Sequence, residues 1–210
     1  MVRCRVHNAG VTAQVADNVE LDGQKYDLAG VRGGPLFDPA AHRIKPGAMS
    51  TACWRGYICW YAVMDSSLRL ERLVIGDGSR IAGHKVSSST TLLGSAFAPS
   101  SSWTGHGWEV AGLDTLIPIT GSLLLGQGFI QSTYVHMGFH PAWKFETVIE
   151  LSFEHGAVTA TRDRSGEAAA FRQRLASGAA ADPDGHRGGI SWVRRTSSLD
   201  YSRSLPGIGT

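Results

Sequence analysis

The residues best equipped for chemistry lie in the middle of the chain. His136 and His140 form an H-x-x-x-H spacing, which on a helix would place two imidazoles side by side as metal ligands. Here the run Tyr134-Val135-His136-Met137-Gly138-Phe139-His140 reads as strand, where the two histidines share a face but stand roughly 13 Å apart. That spacing does not chelate one ion. Two readings stay open: polar residues lining a sheet face, or an acid, a base or a substrate donor. Arg55 follows Trp54 and precedes Tyr57 in an otherwise apolar run. A buried arginine needs a carboxylate, for which Glu71, Glu146 and Glu150 are the candidates, or an anionic ligand. With Tyr57 and Tyr61 on its face, Arg55 would form an aromatic pocket with one fixed charge, suited to a small organic acid or a polyketide-like acyl chain. Glu150 alternates with Val148 and Ser152, so it faces either solvent or a lumen. Facing inward, it would have its pKa raised toward a general-acid or general-base range. Tyr134, Trp103 and Trp108 complete the set of candidate contact residues.

Other chemistries find less support. Cys4, Cys53 and Cys59 make an odd count without C-x-x-C spacing, and Cys53 and Cys59 on one strand would lie about 20 Å apart. Neither has an adjacent histidine in sequence to activate it. Gly126-Gln127-Gly128 lacks the third glycine and following helix of a dinucleotide loop, and no P-loop is present. No cofactor and no metal is expected.

The elements that must position these residues are strands. Ser50–Ile75 is the densest strand-forming stretch, and read with period two both of its faces are apolar through Val63. Met64-Asp65-Ser66-Ser67 reads as a turn and Leu68-Arg69-Leu70-Glu71 as the return strand. An earlier hairpin pairs Val19-Glu20-Leu21 with Lys25-Tyr26-Asp27-Leu28 about Asp22-Gly23, a dipeptide that favours the type I′ turn. Gly30–Gly47 is expected to be irregular, and 76–112, rich in Gly and Ser, to be a long loop held down by its tryptophans. Strands then follow at Leu116–Leu125, with Gly121 as a bulge, and at Phe129–His140 after a Gly126-Gln127-Gly128 turn. The series continues with Lys144–Glu154 and, after His155-Gly156, with Ala157–Thr161. Glu167–Ala176 is the one expected helix, with Ser165 as N-cap and Gly178 as its stop.

Two hundred and ten residues with 42% hydrophobic content suit one sizeable core. Twenty-six glycines and 18% charged residues suit a turn-rich β protein. The net charge of +2 comes with no dense basic ribbon, which speaks against nucleic-acid binding. No apolar signal core begins the chain and no run approaches a membrane span, so a cytoplasmic protein with reduced thiols is expected. The expected architecture is all-β: an antiparallel barrel or strongly bent sheet of about seven to nine strands over 1–164, a C-terminal helix at 165–178, and an extended Arg-rich tail at 179–210.

The pattern Ser50-Thr51-x-x-Trp54-Arg55-Gly56-Tyr57, followed by Thr120-Gly121-Ser122-Leu123 and a Glu154-His155-Gly156 turn, resembles a loose group of short bacterial β-rich proteins. The resemblance covers about Val19–Arg164 and implies one β-rich domain. No activity or catalytic residue comes with it.

Two functions remain in play. One is a small-molecule site inside the barrel, including a cofactor-independent cyclase or isomerase, with Arg55, Tyr57 and Tyr61 orienting an organic acid and His136, His140 or Glu150 moving protons. The other is an intracellular protein-binding module, an immunity or accessory protein, using Trp103, Trp108 and the Arg-rich tail. The sequence leaves a homodimer open.

Overall fold

The computed structural model describes residues 13–100, 106–136, 138–185 and 189–207. The chain is mostly sheet, at 45% strand and 17% helix. In order it forms β1 (Asn18–Leu21), β2 (Gln24–Arg32), β3 (Ile44–Lys45), β4 (Tyr57–Met64) and β5 (Ser67–Gly76). Five short strands follow: β6 (Arg80–Ile81), β7 (His84–Lys85), β8 (Thr91–Leu92), β9 (Ser95–Ala96) and β10 (Ala98–Ser100). Longer strands resume with β11 (Gly107–Leu116), β12 (Gly121–Phe129), β13 (Phe145–Glu154) and β14 (Ala157–Asp163), and helices α1 (Ser165–Ala176), α2 (Gly189–Thr196) and α3 (Tyr201–Ser204) complete the described chain.

Seven strands ring the core in the order β4, β5, β14, β13, β12, β2, β1 and back to β4. The pairings are antiparallel except at the β1–β4 closure, where Asn18 to Glu20 run parallel to Trp60 to Ala62. The ring is not a clean barrel. β14 meets β5 only at Ala157 and Ser67, and β11 takes most of the same β5 edge, with β10 outside it. Tight turns of two left-handed residues set the hairpins, at Asp22-Gly23, Asp65-Ser66 and His155-Gly156, all with positive φ.

Alternation sorts the side chains into two layers. Val19, Leu28, Tyr61, Leu70, Leu123, Leu125, Leu151 and Phe153 pack into one cluster that fills the ring, each large apolar side chain contributing about 1.5–3 kcal/mol on burial. On the outer face Ala29, Leu124, Phe145 and Val148 pack against Ala168 and Phe171 of α1 and Tyr201 of α3. Asp163 Oδ1 accepts the Ser165 backbone N–H at 2.8 Å, and Ser165 Oγ accepts the Val148 N–H at 3.0 Å. The expected N-cap residue therefore ties α1 to β13, and Asp163 holds the first turn.

Several expected elements are placed differently. The described residues of segment 76–112 do not form one long loop: they supply Val86, Leu92 and Phe97 to the core and the first part of β11. Gly126-Gln127-Gly128 is not a turn but lies within β12, which starts at Gly121 because Pro118 interrupts the approach. Phe129–His140 is not a strand. β12 ends at Phe129, a 3-10 turn spans Gln131–Thr133, and Gly138 at φ 80 lets the chain pass within reach of Thr196. The Arg-rich tail is not extended either. It carries α2 and α3, and Arg203 is fixed by both oxygens of buried Asp184 at 2.8 and 3.0 Å and by the Phe139 carbonyl at 3.0 Å. Among the described residues no helix is long and apolar enough to cross a membrane.

Gly126 explains why a glycine belongs mid-strand. A Cβ there would stand 2.5 Å from Cγ of the buried Phe145 ring. Gly126→Ala should therefore cost about 1–3 kcal/mol in urea unfolding; a variant as stable as wild type would mean that the ring moves aside freely.

Candidate functional site

Arg55 sits in a turn, not in mid-strand. Cys53 N–H bonds to the Ser50 carbonyl at 3.0 Å and Gly56 N–H to the Cys53 carbonyl at 3.2 Å. Gly56 has φ 75, and a Cβ there would lie 2.3 Å from the Gly47 carbonyl oxygen, so the chain turns where only glycine fits. The partner of Arg55 is none of the three expected glutamates. It is Asp17, whose carboxylate accepts from Nη1 at 3.0 Å and from Nη2 at 2.6 Å. Asp17 Oδ1 also accepts the Cys59 backbone N–H at 2.6 Å. The rings of Tyr57 and Phe139 flank the guanidinium at 4.8 and 5.1 Å. Burial opposes the charge on Arg55, but the Asp17 carboxylate outweighs it and raises the pKa above its ordinary value.

Arg55, Tyr57 and Tyr61 do line one cavity, of about 470 Å3, together with Phe37, Phe139 and the 197–200 loop. It lies beside a filled core rather than in an open lumen. Burial pushes the Tyr57 phenol up to about 12 and Tyr61 well above its usual value, so both stay protonated. The fixed charge expected of this pocket is already matched by Asp17.

Glu150 is only 2% exposed, yet it is shallow, sealed by arginine side chains lying over it. Arg164 donates to Oε2 through Nε at 2.9 Å, Tyr201 donates to Oε1, and Arg32 and Arg162 approach at 3.6 and 3.9 Å. Burial favours the neutral acid, but the Tyr201 and Arg164 hydrogen bonds outweigh it and lower the pKa. The inward orientation thus leads to the opposite of the raised pKa expected. Glu150 is an ionised clamp between β13, α1 and α3.

The histidines meet on a different surface. Tyr134 stands between them, 5.1 Å from the His136 ring and 5.4 Å from the His140 ring, and His140 packs 4.3 Å from Phe129. His136 is exposed. His140 and Tyr134 line a cavity of about 550 Å3 that also contains Asp27, Trp60, Arg72 and Phe145. Burial, followed by the charges of Lys144 and Arg203, lowers the His140 pKa to about 3, so its imidazole is neutral at any working pH.

Asp27 is the residue that sequence reasoning missed. Asn18 pairs with Trp60 of β4 on one side and with Asp27 of β2 on the other, and Asp27 in turn pairs with Gly126 of β12. These residues form one transverse row on the outer face, one step off the core residues Val19, Leu28, Tyr61 and Leu125. The Asp27 carboxylate has no hydrogen bond or ion pair among the described residues. Asp27 is exposed, while the surrounding protein thins its hydration and pushes its pKa up to about 6. The signal available in the sequence was a carboxylate on the non-core phase of a strand, which usually means a solvated face.

The remaining candidates separate from these cavities. Trp108 is half-buried against the interior core on β11, so it is not a projecting anchor; Trp103 lies outside the described residues, as does Cys4. Cys53 and Cys59 are buried free thiols, both with pKa raised by burial. Among the described residues no three His, Cys, Asp or Glu side chains are grouped to hold a metal. Comparison with known proteins found no matching protein family, no matching curated protein and no matching solved structure.

Two outcomes follow from this geometry. Asp17→Ala should cost about 3–5 kcal/mol, because it leaves a largely buried guanidinium unpaired; unchanged urea unfolding would show that water replaces the carboxylate. For Asp27 the native pKa lies above the unfolded one, so ionisation opposes folding, and its contribution improves as pH falls through about 6. Allowing for its contact with water, Asp27→Asn should raise Tm by about 2–4 °C at pH 7.5. Calorimetry near pH 4.5 should show that gain disappear; a gain that persists there would refute the raised pKa.

Proposed function

We propose that the protein binds a small molecule in the outer cavity between the β1–β2–β4 face and the segment running from Phe129 to Phe145. The observation that supports this most is an unpartnered carboxylate, Asp27, standing in a cavity of about 550 Å3 with aromatic walls. Asp27 is exposed to water, so leaving it unpartnered costs the folded state only modestly, through the hydration that the cavity walls withdraw. A bound ligand that meets it recovers that cost, and the volume lies in the usual range for small-molecule sites. Recognition of an organic acid by Arg55 has less support, since Asp17 already occupies both terminal nitrogens of the guanidinium.

One observation favours a catalytic version of this reading. A carboxylate with its pKa near 6 is matched to accept a proton near neutral pH. Asp27 would then be the base of a cofactor-independent isomerisation or cyclisation, with the neutral His140 imidazole as a hydrogen-bonding partner across the cavity.

The test is a thermal-shift screen of a metabolite and fragment library on wild type, Ala16→Phe, Tyr134→Ala and Arg55→Ala. Compounds that raise the wild-type midpoint should lose most of that shift in Ala16→Phe, which fills the cavity, and in Tyr134→Ala, which removes one wall. Shifts that survive both but vanish in Arg55→Ala would move the site to the Arg55 cavity and overturn the proposal.

A further inference from the structure

The outer cavity is lined by two charges of opposite sign, one without a partner among the described residues and one only loosely paired. Asp27 has no polar partner among the described residues. Arg72 of β5 stacks its guanidinium 3.6 Å above the Trp60 ring, and its one ion pair there is a long 3.6 Å contact from Nη1 to Glu109 Oε2. Its other donors make no hydrogen bond within the described residues.

Both groups stand in the same transverse row of the sheet. Arg72 pairs with Trp60, Trp60 with Asn18, and Asn18 with Asp27. Their Cα atoms are thus three strand spacings apart, roughly 14 Å, and the Arg72 side chain covers part of that span by lying over Trp60. Ile58, Phe129 and Phe145 provide apolar surface between and beside them. A neutral or singly charged ligand would satisfy at most one of these groups.

Resting on the reading of this cavity as a small-molecule site, we infer that its ligand is a zwitterion whose ammonium group meets Asp27 and whose carboxylate meets Arg72, with an apolar body between. Three strand spacings, shortened by the Arg72 side chain lying over Trp60, suit the wider charge separation of an ω-amino acid or a short peptide better than that of a simple α-amino acid. The cationic end meets the Asp27 carboxylate, with the Tyr134 and Phe129 rings lining the same cavity. The anionic end takes the planar fork that Glu109 holds only at arm's length.

Four probes of one length separate the possibilities: 6-aminohexanoate, hexylammonium, hexanoate and hexanol, titrated at millimolar concentration while the Trp60 indole and Tyr134 ring resonances are followed by NMR. The expected order of affinity is 6-aminohexanoate, then hexylammonium, with hexanoate and hexanol weakest. Asp27→Asn should weaken both ammonium probes about two- to fivefold, the worth of a solvent-exposed charge pair, and leave hexanoate unchanged. Arg72→Gln should abolish the advantage of 6-aminohexanoate over hexylammonium. Equal binding of all four probes, with both variants behaving as wild type, would overturn the zwitterion while leaving the cavity as a binding site. Tighter binding of hexanoate than of hexylammonium would overturn it as well. Failure of every probe to shift either resonance, together with a library screen without hits, would overturn the small-molecule reading itself.

Discussion

The ring closes through one carboxylate. Asp17 lies just before β1, and its side chain gathers both terminal nitrogens of Arg55 and the backbone N–H of Cys59, while its carbonyl accepts the Leu28 N–H. Those three contacts join the entry to β1, the turn before β4 and the middle of β2. The parallel β1–β4 pairing is the seam at which the first hairpin meets the central one, and parallel strands have no connecting turn to set their register. Here Asp17 sets it from the side. The same pair places Tyr57 and Phe139 about the guanidinium, so the cavity beside Arg55 follows from the closure of the ring.

Two further buried charge networks decide how much of the outer face is covered. Glu150 gathers Arg164 and Tyr201, which fastens α1 and α3 over β13. Asp184 gathers Arg203 and lies 3.9 Å from the Lys144 ammonium, so the last described helices are fixed to the segment that leads into β13. This helical layer covers Ala29, Leu124 and Val148 and stops there. The row from Arg72 to Asp27 lies beyond it and is left to the aromatic segment from Phe129 to Phe145.

What could be read from the sequence follows from the range over which each signal acts. The turns at Asp22-Gly23 and His155-Gly156, and the alternation of β13, are local and were legible. So was the need of Arg55 for an anion, a carboxylate or a ligand, because a desolvated guanidinium must be matched. Which carboxylate it was could not be read, since Asp17 becomes a neighbour only once β1 and β4 run parallel. Strand alternation around Tyr134 and His140 misled, because Gly138 and the Gln131–Thr133 turn break the extended path. Asp27 looked like one more exposed strand residue, and it is exposed; what stayed hidden is the cavity around it, whose walls include Ala52, Phe129, Tyr134, His140 and Phe145, distant in sequence. The Arg-rich tail looked extended because Arg203 meets Asp184 and the Phe139 carbonyl only after folding.

The position of α3 has a consequence for how the chain is made. Ser204 Oγ donates to the Ala29 carbonyl at 2.7 Å, and Val31 N–H bonds to the Leu199 carbonyl at 2.7 Å. A Cβ on Gly30 would meet the Ser204 Cβ at 3.0 Å, so helix and strand lie almost in backbone contact. Synthesis proceeds from the N-terminus, and β2 therefore leaves the ribosome with its outer face bare while some 170 further residues are added. Until α3 is added, β2 lacks the cover that Ser204 and Leu199 give it in the finished fold. Completion of this face therefore waits on a contact of very long sequence separation, the kind whose loop-closure cost is met late in folding.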